Sequence, residues 1–138
     1  NTKRFVLAGA GTQTSALAFG GYDFSSPAGV AVTESWNGSN WTEVSDLNTA
    51  RYYIAGSGTD NTSALGFGGT TGTLTGATEK WNGTSWSEQN DLSTARQVLA
   101  GNGTTTSSLA YGGGAPSNTT ATEEWNVPST TIKTISTD

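Results

Sequence analysis

Sixteen residues of this chain occur twice in almost the same wording. Residues 36–51 read Trp-Asn-Gly-Ser-Asn-Trp-Thr-Glu-Val-Ser-Asp-Leu-Asn-Thr-Ala-Arg. Residues 81–96, 45 positions later, read Trp-Asn-Gly-Thr-Ser-Trp-Ser-Glu-Gln-Asn-Asp-Leu-Ser-Thr-Ala-Arg without a gap. Trp125-Asn126 opens the pattern a third time, 44 positions on, and then departs from it. A period of this length means a stack of like units, each needing neighbours to bury its apolar surface. Three units fill the chain, at 1–47, 48–92 and 93–138.

Each unit is too small to be stable alone. Only 33% of the 138 residues are apolar and 19 are glycine, a balance that by itself points toward disorder. Five Trp, four Tyr and four Phe, recurring at fixed offsets, point instead to an ordered, turn-rich β protein. The formal net charge is −5 and the six basic residues are scattered, which argues against nucleic-acid binding because that needs clustered cations. Without cysteine there are no disulfides or thiolate metal sites. No apolar run approaches the roughly 20 residues that span a membrane. No Met and no signal peptide open the chain, so the expectation is a piece processed or excised from a longer one.

Within each unit the order of signals is the same. A short apolar run follows each of Arg4, Arg51 and Arg96, at 5–9, 52–56 and 97–101, and is read as a first strand. Gly-Thr-rich turns come next, at 11–14, 58–62 and 103–106, followed by a second run that ends in Gly20-Gly21, Gly68-Gly69 and Gly112-Gly113. The runs do not alternate cleanly, so both faces of these strands are expected to be covered. Polar loops of differing sequence (22–30, 70–76, 114–120) lead to a third strand closing on Thr-Glu-x-Trp at Trp36, Trp81 and Trp125. Asn37-Gly38 and Asn82-Gly83 predict type I′ hairpins into a fourth strand. That register puts Trp36 opposite Ser39 and diagonal to Trp41, with Trp81 and Trp86 repeating the arrangement. Trp36, Trp41, Trp81, Trp86 and Trp125 are therefore the expected packing between neighbouring sheets, each ring burying about 150–250 Å². Four short strands in about 45 residues, with no helical period, describe a propeller blade.

The apolar run into Gly-Gly, the loop, the aromatic-ended strand, the second Trp and the closing Arg resemble the kelch repeat. The likeness covers all three units, the third incompletely after Trp125, and Trp stands where kelch repeats usually carry Tyr. The Ala-Gly-x-Gly-Thr and Trp-Asn-Gly-Thr-Ser-Trp wording is similar to kelch-like arrays in tail or fibre proteins of marine bacteriophages. Kelch propellers are mostly binding platforms, so the resemblance implies a scaffold first and an enzyme only as a minority case.

The chemistry on offer agrees with that implication. With no His, neither a Ser-His-Asp arrangement nor His general-base catalysis is possible. The copper site of kelch oxidases needs His and Cys, and both are missing. Glu34, Glu79 and Glu123 have the residue type of glycosidase carboxylates, but they recur once per unit, as a strand-defining residue does. Gly9-Ala10-Gly11 and Gly101-Asn102-Gly103 lack the Lys and helix of a phosphate loop and read as turns. The Arg repeated at each strand entrance anchors loops of adjacent blades, with Asp46 and Asp91 as partners, or contacts a ligand. Arg51 and Arg96 are kept as candidate contacts. In an up-and-down blade the loops 22–30, 70–76 and 114–120 share a surface with residues 48–51 and their copies, and variation collects there as on a recognition face. Tyr22, Asp23 and Phe24 are its most ligand-like stretch.

The reading is an all-β, kelch-like β-propeller segment of three four-stranded antiparallel blades. Its function is that of a non-enzymatic structural or adhesive interaction module. By resemblance it is part of a phage virion appendage, and so virion-associated or extracellular. The alternative is a propeller lectin holding carbohydrate in inter-blade pockets. Neither a cofactor nor a metal is expected. Propellers close with four to eight blades, so the first expected partner is a second copy, head to tail, completing a six-bladed ring. A protein or glycan ligand is the second, with no nucleic acid and no membrane insertion.

Overall fold

The computed structural model describes residues 2–127, which form thirteen short strands and no helix. The first sheet is an antiparallel meander of β1 (Ala8–Gly11), β2 (Ala16–Phe19), β3 (Thr33–Trp36) and β4 (Trp41–Val44). The second repeats it with β5 (Ala55–Asp60), β6 (Ser63–Phe67), β7 (Thr78–Trp81) and β8 (Trp86–Glu88). In the third, β9 (Ala100–Gly103) and β10 (Ser107–Tyr111) are followed by a two-stranded hairpin, β11 (Gly114–Ala115) and β12 (Ser117–Asn118), inside the connecting loop. β13 (Thr122–Asn126) then pairs with β10. The fourth strand expected for this unit falls on 128–138, outside the described residues.

The first strands begin later than their apolar runs suggest. Phe5, Tyr52 and Gln97 make only isolated bridges, to Tyr22, Thr70 and Gly114. The residues after them, Val6, Tyr53 and Val98, have positive φ (51°, 53° and 55°) and break the strand before it starts. Left-handed backbone costs a non-glycine residue roughly 1–3 kcal/mol. A hydrogen bond between sheets is made there instead: Tyr53 N–H donates to Val6 O (2.9 Å) and Val98 N–H to Tyr53 O (3.0 Å). The apolar run is thus the joint between sheets, and the strand proper starts at Ala8, Ala55 or Ala100.

The tryptophan hairpins also differ from expectation, by one residue. Trp36 lies directly opposite Trp41, and Asn37 N–H donates to Asn40 O at 3.3 Å, so the two-residue connection is Gly38-Ser39. Gly38 has φ +93° and Asn37 is not left-handed, so this is not a type I′ turn at Asn37-Gly38. The Asn37 side chain decides it: Oδ1 accepts from Ser39 N–H (3.0 Å) and Asn40 N–H (2.9 Å), closing an Asx turn over the glycine. Asn82 does the same for Thr84 and Ser85, and Trp81 faces Trp86. In both hairpins the ring centroids are 5.5 Å apart.

Two apolar clusters lie between the sheets. Leu17, Phe19 and Leu47 of the first unit meet Ile54, Ala64, Trp81 and Trp86 of the second, with the Phe19 and Trp86 rings 4.8 Å apart and inclined edge to face at 61°. Trp86 Nε1 donates across this boundary to Thr33 Oγ1 at 3.1 Å. Leu65 and Phe67 then meet Leu99 and Ala110, with the half-buried Trp125 beside them. Glycine makes the close approach possible. A methyl group on Gly56 would sit 2.8 Å from both Gly9 O and the Phe19 ring. One on Gly101 would sit 2.8 Å from Gly56 O.

Candidate functional site

The loop 22–30 is tied to the segment after Arg4 by a reciprocal pair of backbone bonds, Phe5 N–H to Tyr22 O (3.0 Å) and Tyr22 N–H to Phe5 O (2.9 Å). Gly21 N–H reaches across to Arg51 O at 2.9 Å, which brings the loop against the next unit. The result is a group of five rings on one face. Tyr22 lies 5.6 Å from Phe5, 5.2 Å from Phe24 and 5.0 Å from Tyr52, and Tyr52 lies 5.3 Å from Tyr53. Phe5, Val6, Tyr22, Tyr52 and Tyr53 line an open hollow of about 120 Å³ at the boundary of the first two units. Phe24 stands at its rim with left-handed backbone (φ 65°) and 80% of its surface exposed.

Asp23 is turned to its own loop. Its carboxylate accepts from Ser25 Oγ (2.6 Å) and Ser25 N–H (2.8 Å), and these bonds hold its pKa below the usual carboxylate value. It stays ionised down to lower pH than a free aspartate and puts a fixed negative charge beside the rings.

The repeated arginines lie beneath this face, not on it. Arg51 is fully buried: Nη2 meets Glu79 Oε1 at 3.1 Å and Gly66 O at 3.3 Å, while Nη1 donates to Gly68 O (3.1 Å) and Ala77 O. Burial lowers its pKa and the facing Glu79 opposes that shift. Glu79 completes the clasp, since Oε2 accepts from Asn48 N–H (2.7 Å) and Asn48 Nδ2 (2.9 Å). Arg96 pairs with Glu123 at 3.1 Å and Arg4 with Glu34 at 3.0 Å. Asp46 and Asp91, the partners expected from sequence, cap the third strands instead, accepting from Thr33 N–H (3.1 Å) and Thr78 N–H (3.3 Å). Arg51 and Arg96 are therefore corrected from ligand contacts to internal clasps, because each guanidinium is fully buried and its Nη atoms bond a carboxylate and backbone carbonyls of its own unit.

No protein-family model and no curated protein matches the chain. Its fold is similar to that of a solved structure of YjhT, with a TM-score of 0.75 at 12% sequence identity over 92% of this chain. The three units span 44% of that chain's length. This is an all-β, propeller-like fold. The sheets are its blades, with β1, β5 and β9 as inner strands.

Of the candidate contacts, the blades bring together Tyr22 and Phe24 and leave Asp23 engaged with Ser25. Phe5, Tyr52 and Tyr53 went unrecognised in the sequence. Their signal was position: each follows a repeated Arg, and that segment shares the loop face. A hollow recurs at the equivalent position of blade three, about 440 Å³ in volume and lined by Leu74, Gln97, Val98 and Gly114, but among the described residues its aromatic lining does not. Where blade one has Phe5, Tyr22 and Phe24, blade three has Gln97, Gly114 and Pro116. Among the described residues no group of His, Cys, Asp and Glu is placed to hold a metal, and no helix is long and apolar enough to cross a membrane.

Proposed function

We propose that the chain is a non-enzymatic interaction module that presents the aromatic loop face of a propeller-like scaffold to a partner. One observation carries this reading: five clustered rings at the boundary of blades one and two, with Phe24 held outward by a left-handed backbone that a tyrosine- and phenylalanine-lined hollow does not need for packing. Strained, exposed aromatics on a rigid frame are typical of binding surfaces, where backbone strain is offset by the surrounding structure. The pairing of Glu34, Glu79 and Glu123 with arginines, fully buried at Glu79 and partly exposed at Glu123, supports the non-enzymatic side, since carboxylates engaged in this way are poor general acids or nucleophiles. Resemblance to kelch-like arrays of phage tail and fibre proteins supports placing the module in a virion appendage, as a structural or adhesive part.

A lectin is the second reading, favoured by the inter-blade hollow itself. Tyrosine faces beside the ionised Asp23 offer stacking for one face of a sugar ring and an acceptor for its hydroxyls. The aromatic lining, confined to the boundary of blades one and two, implies one site per chain and not one per blade. A glycan array probed with the chain, alongside its Phe24→Ala and Tyr22→Ala variants, tests both readings. Carbohydrate binding lost about tenfold or more in both variants, with unchanged melting, establishes the lectin. No glycan binding, with variant-sensitive adhesion to a protein-coated surface, establishes the protein-binding module. Binding of neither kind, or binding indifferent to Phe24, overturns the loop face as the site.

A further inference from the structure

We infer that the outer faces of blades one and three are the two halves of one interface, and that a second copy of this chain fills both and closes the ring. The inference is independent of what the loop face binds. It rests on comparing the same repeat position in three settings within one molecule.

In the middle blade, covered on both sides, β6 is buried at four consecutive residues. In the end blades burial alternates, and it does so in opposite phase. Leu17 and Phe19 of β2 point toward blade two and are buried, whereas their equivalents in β10, Leu109 and Tyr111, point away from it. Exposure runs 1% at Leu17, 0% at Leu65 and 42% at Leu109. The opposite surface shows the converse, with Trp86 at 6% and its equivalent Trp41 in blade one at 37%. Leu7, the equivalent of the buried Ile54, is exposed as well. Blade three thus offers what blades one and two insert, and blade one offers what blades two and three receive.

The polar groups match in the same way. Among the described residues no hydrogen bond reaches Val98 O or Val6 N–H, the two ends of the ladder that runs Val6, Tyr53, Val98. Nor does one leave Gly113 N–H or reach Arg4 O, although Gly21 and Gly69 N–H bond Arg51 O and Arg96 O across the two internal boundaries (2.9 and 2.8 Å). Seating the partner's blade one on blade three in the internal geometry answers each of these. Val98 O accepts from the partner's Val6, and Gly113 N–H donates to the partner's Arg4. The Tyr111 ring takes the place of Phe19 and Phe67 over the partner's Gly9, whose one near neighbour among the described residues is Leu17 O. The partner's Trp41 reaches Thr122 as Trp86 reaches Thr33.

For the 138-residue chain the occupant follows from these pairings, because the blade that carries the complementary set is blade one of a second copy. Number follows from length. The three blades match 44% of the YjhT chain, which leaves room in a fold of that size for about as many more. Two copies in head-to-tail contact, related by a two-fold axis, satisfy both interfaces and leave no free face.

Light scattering on the 138-residue chain is the test. The expected result is a dimer at twice the 14.1 kDa chain mass, and a folded monomer or an open polymer overturns the proposal. Tyr111→Arg and Trp41→Arg change half-exposed side chains on opposite ends. Each alone should shift the mass to 14.1 kDa with the β circular dichroism retained. If only one of them matters, the contact joins like faces and the head-to-tail ring is wrong. Should either variant unfold, a cysteine pair still decides. Ser15 Oγ lies 2.9 Å from Asn61 Oδ1, and Ser63 Oγ 2.8 Å from Thr105 Oγ1, across the internal boundaries. Gln13→Cys with Ser107→Cys places thiols at the equivalent positions of the closing interface. Oxidation should give a covalent dimer that runs no further, whereas a ladder of higher species or no cross-link overturns the closed ring.

Discussion

At the scale of single residues, burial reorders what matters. Trp81 is a large ring at the first inter-blade cluster, and Trp81→Ala should cost about 3–5 kcal/mol in denaturant melts. From the sequence alone Glu79 ranks below it. In the fold Glu79 is fully buried against Arg51 and holds Asn48 by backbone and side chain. Glu79→Ala strands the Arg51 charge and those donors together, so its cost should also be about 3–5 kcal/mol. A melt showing Glu79→Ala to be nearly neutral would remove the clasp assigned to it. Glu88 works the other way. Partial desolvation, then the facing Glu79 carboxylate, raises its pKa in the folded chain. The fold therefore favours protonated Glu88: its favourable contribution is present below the unfolded pKa and is lost as pH rises through the folded one. Glu88→Gln should raise the melting midpoint at pH 7 and have little effect at pH 4, which a pair of thermal melts checks.

At the scale of elements, two glycine-dependent features control how strands meet. Gly56 and Gly101 sit on inner strands that approach the neighbouring backbone too closely for a side chain. Gly56→Val should cost about 1–3 kcal/mol through overpacking against Gly9 O and Phe19. Gly72→Ala is the control for a glycine in open space: its added methyl meets nothing nearer than 4.0 Å, so only left-handed strain at φ 100° remains. The hairpin turns show why register is hard to read from a dipeptide. Asn-Gly predicts a two-residue loop at those positions, but the Asn37 carboxamide binds two backbone N–H groups ahead of it and moves the loop to Gly38-Ser39. A one-residue shift exchanges diagonal for directly opposed neighbours, and so Trp36 meets Trp41 face across the hairpin.

At the scale of the whole molecule, stability and assembly are coupled if the end faces close on a second copy. The thermal midpoint should then rise with chain concentration, as mass action requires when association stabilises only the folded state. Melts over a hundredfold range of concentration check this. A midpoint that stays constant would mean that the half-ring is stable with Leu109, Tyr111 and Trp41 in water. The loop face lies at the boundary of blades one and two, so its hollow should survive Tyr111→Arg.

What the sequence by itself determined is everything that repetition exposes. The 45-residue period, the four short strands, the Thr-Glu-x-Trp strand and the Gly-Gly pair are local patterns seen two or three times, and chance does not repeat them. Tertiary structure alone decided which partner each repeated group takes. Arg51 chose Glu79 over Asp46, five positions before it, because the carboxylate on β7 lies beside it in space while Asp46 caps Thr33, a proximity that the sequence separation does not show. Tyr22 met Tyr52 because Gly21 bonds the next blade, and neither residue is periodic. The left-handed backbone at Val6, Tyr53 and Val98 is invisible in residue type, since β-branched and aromatic side chains disfavour it. The hydrogen bond to the adjacent blade overcomes that preference, and such a bond exists only once the blades are stacked.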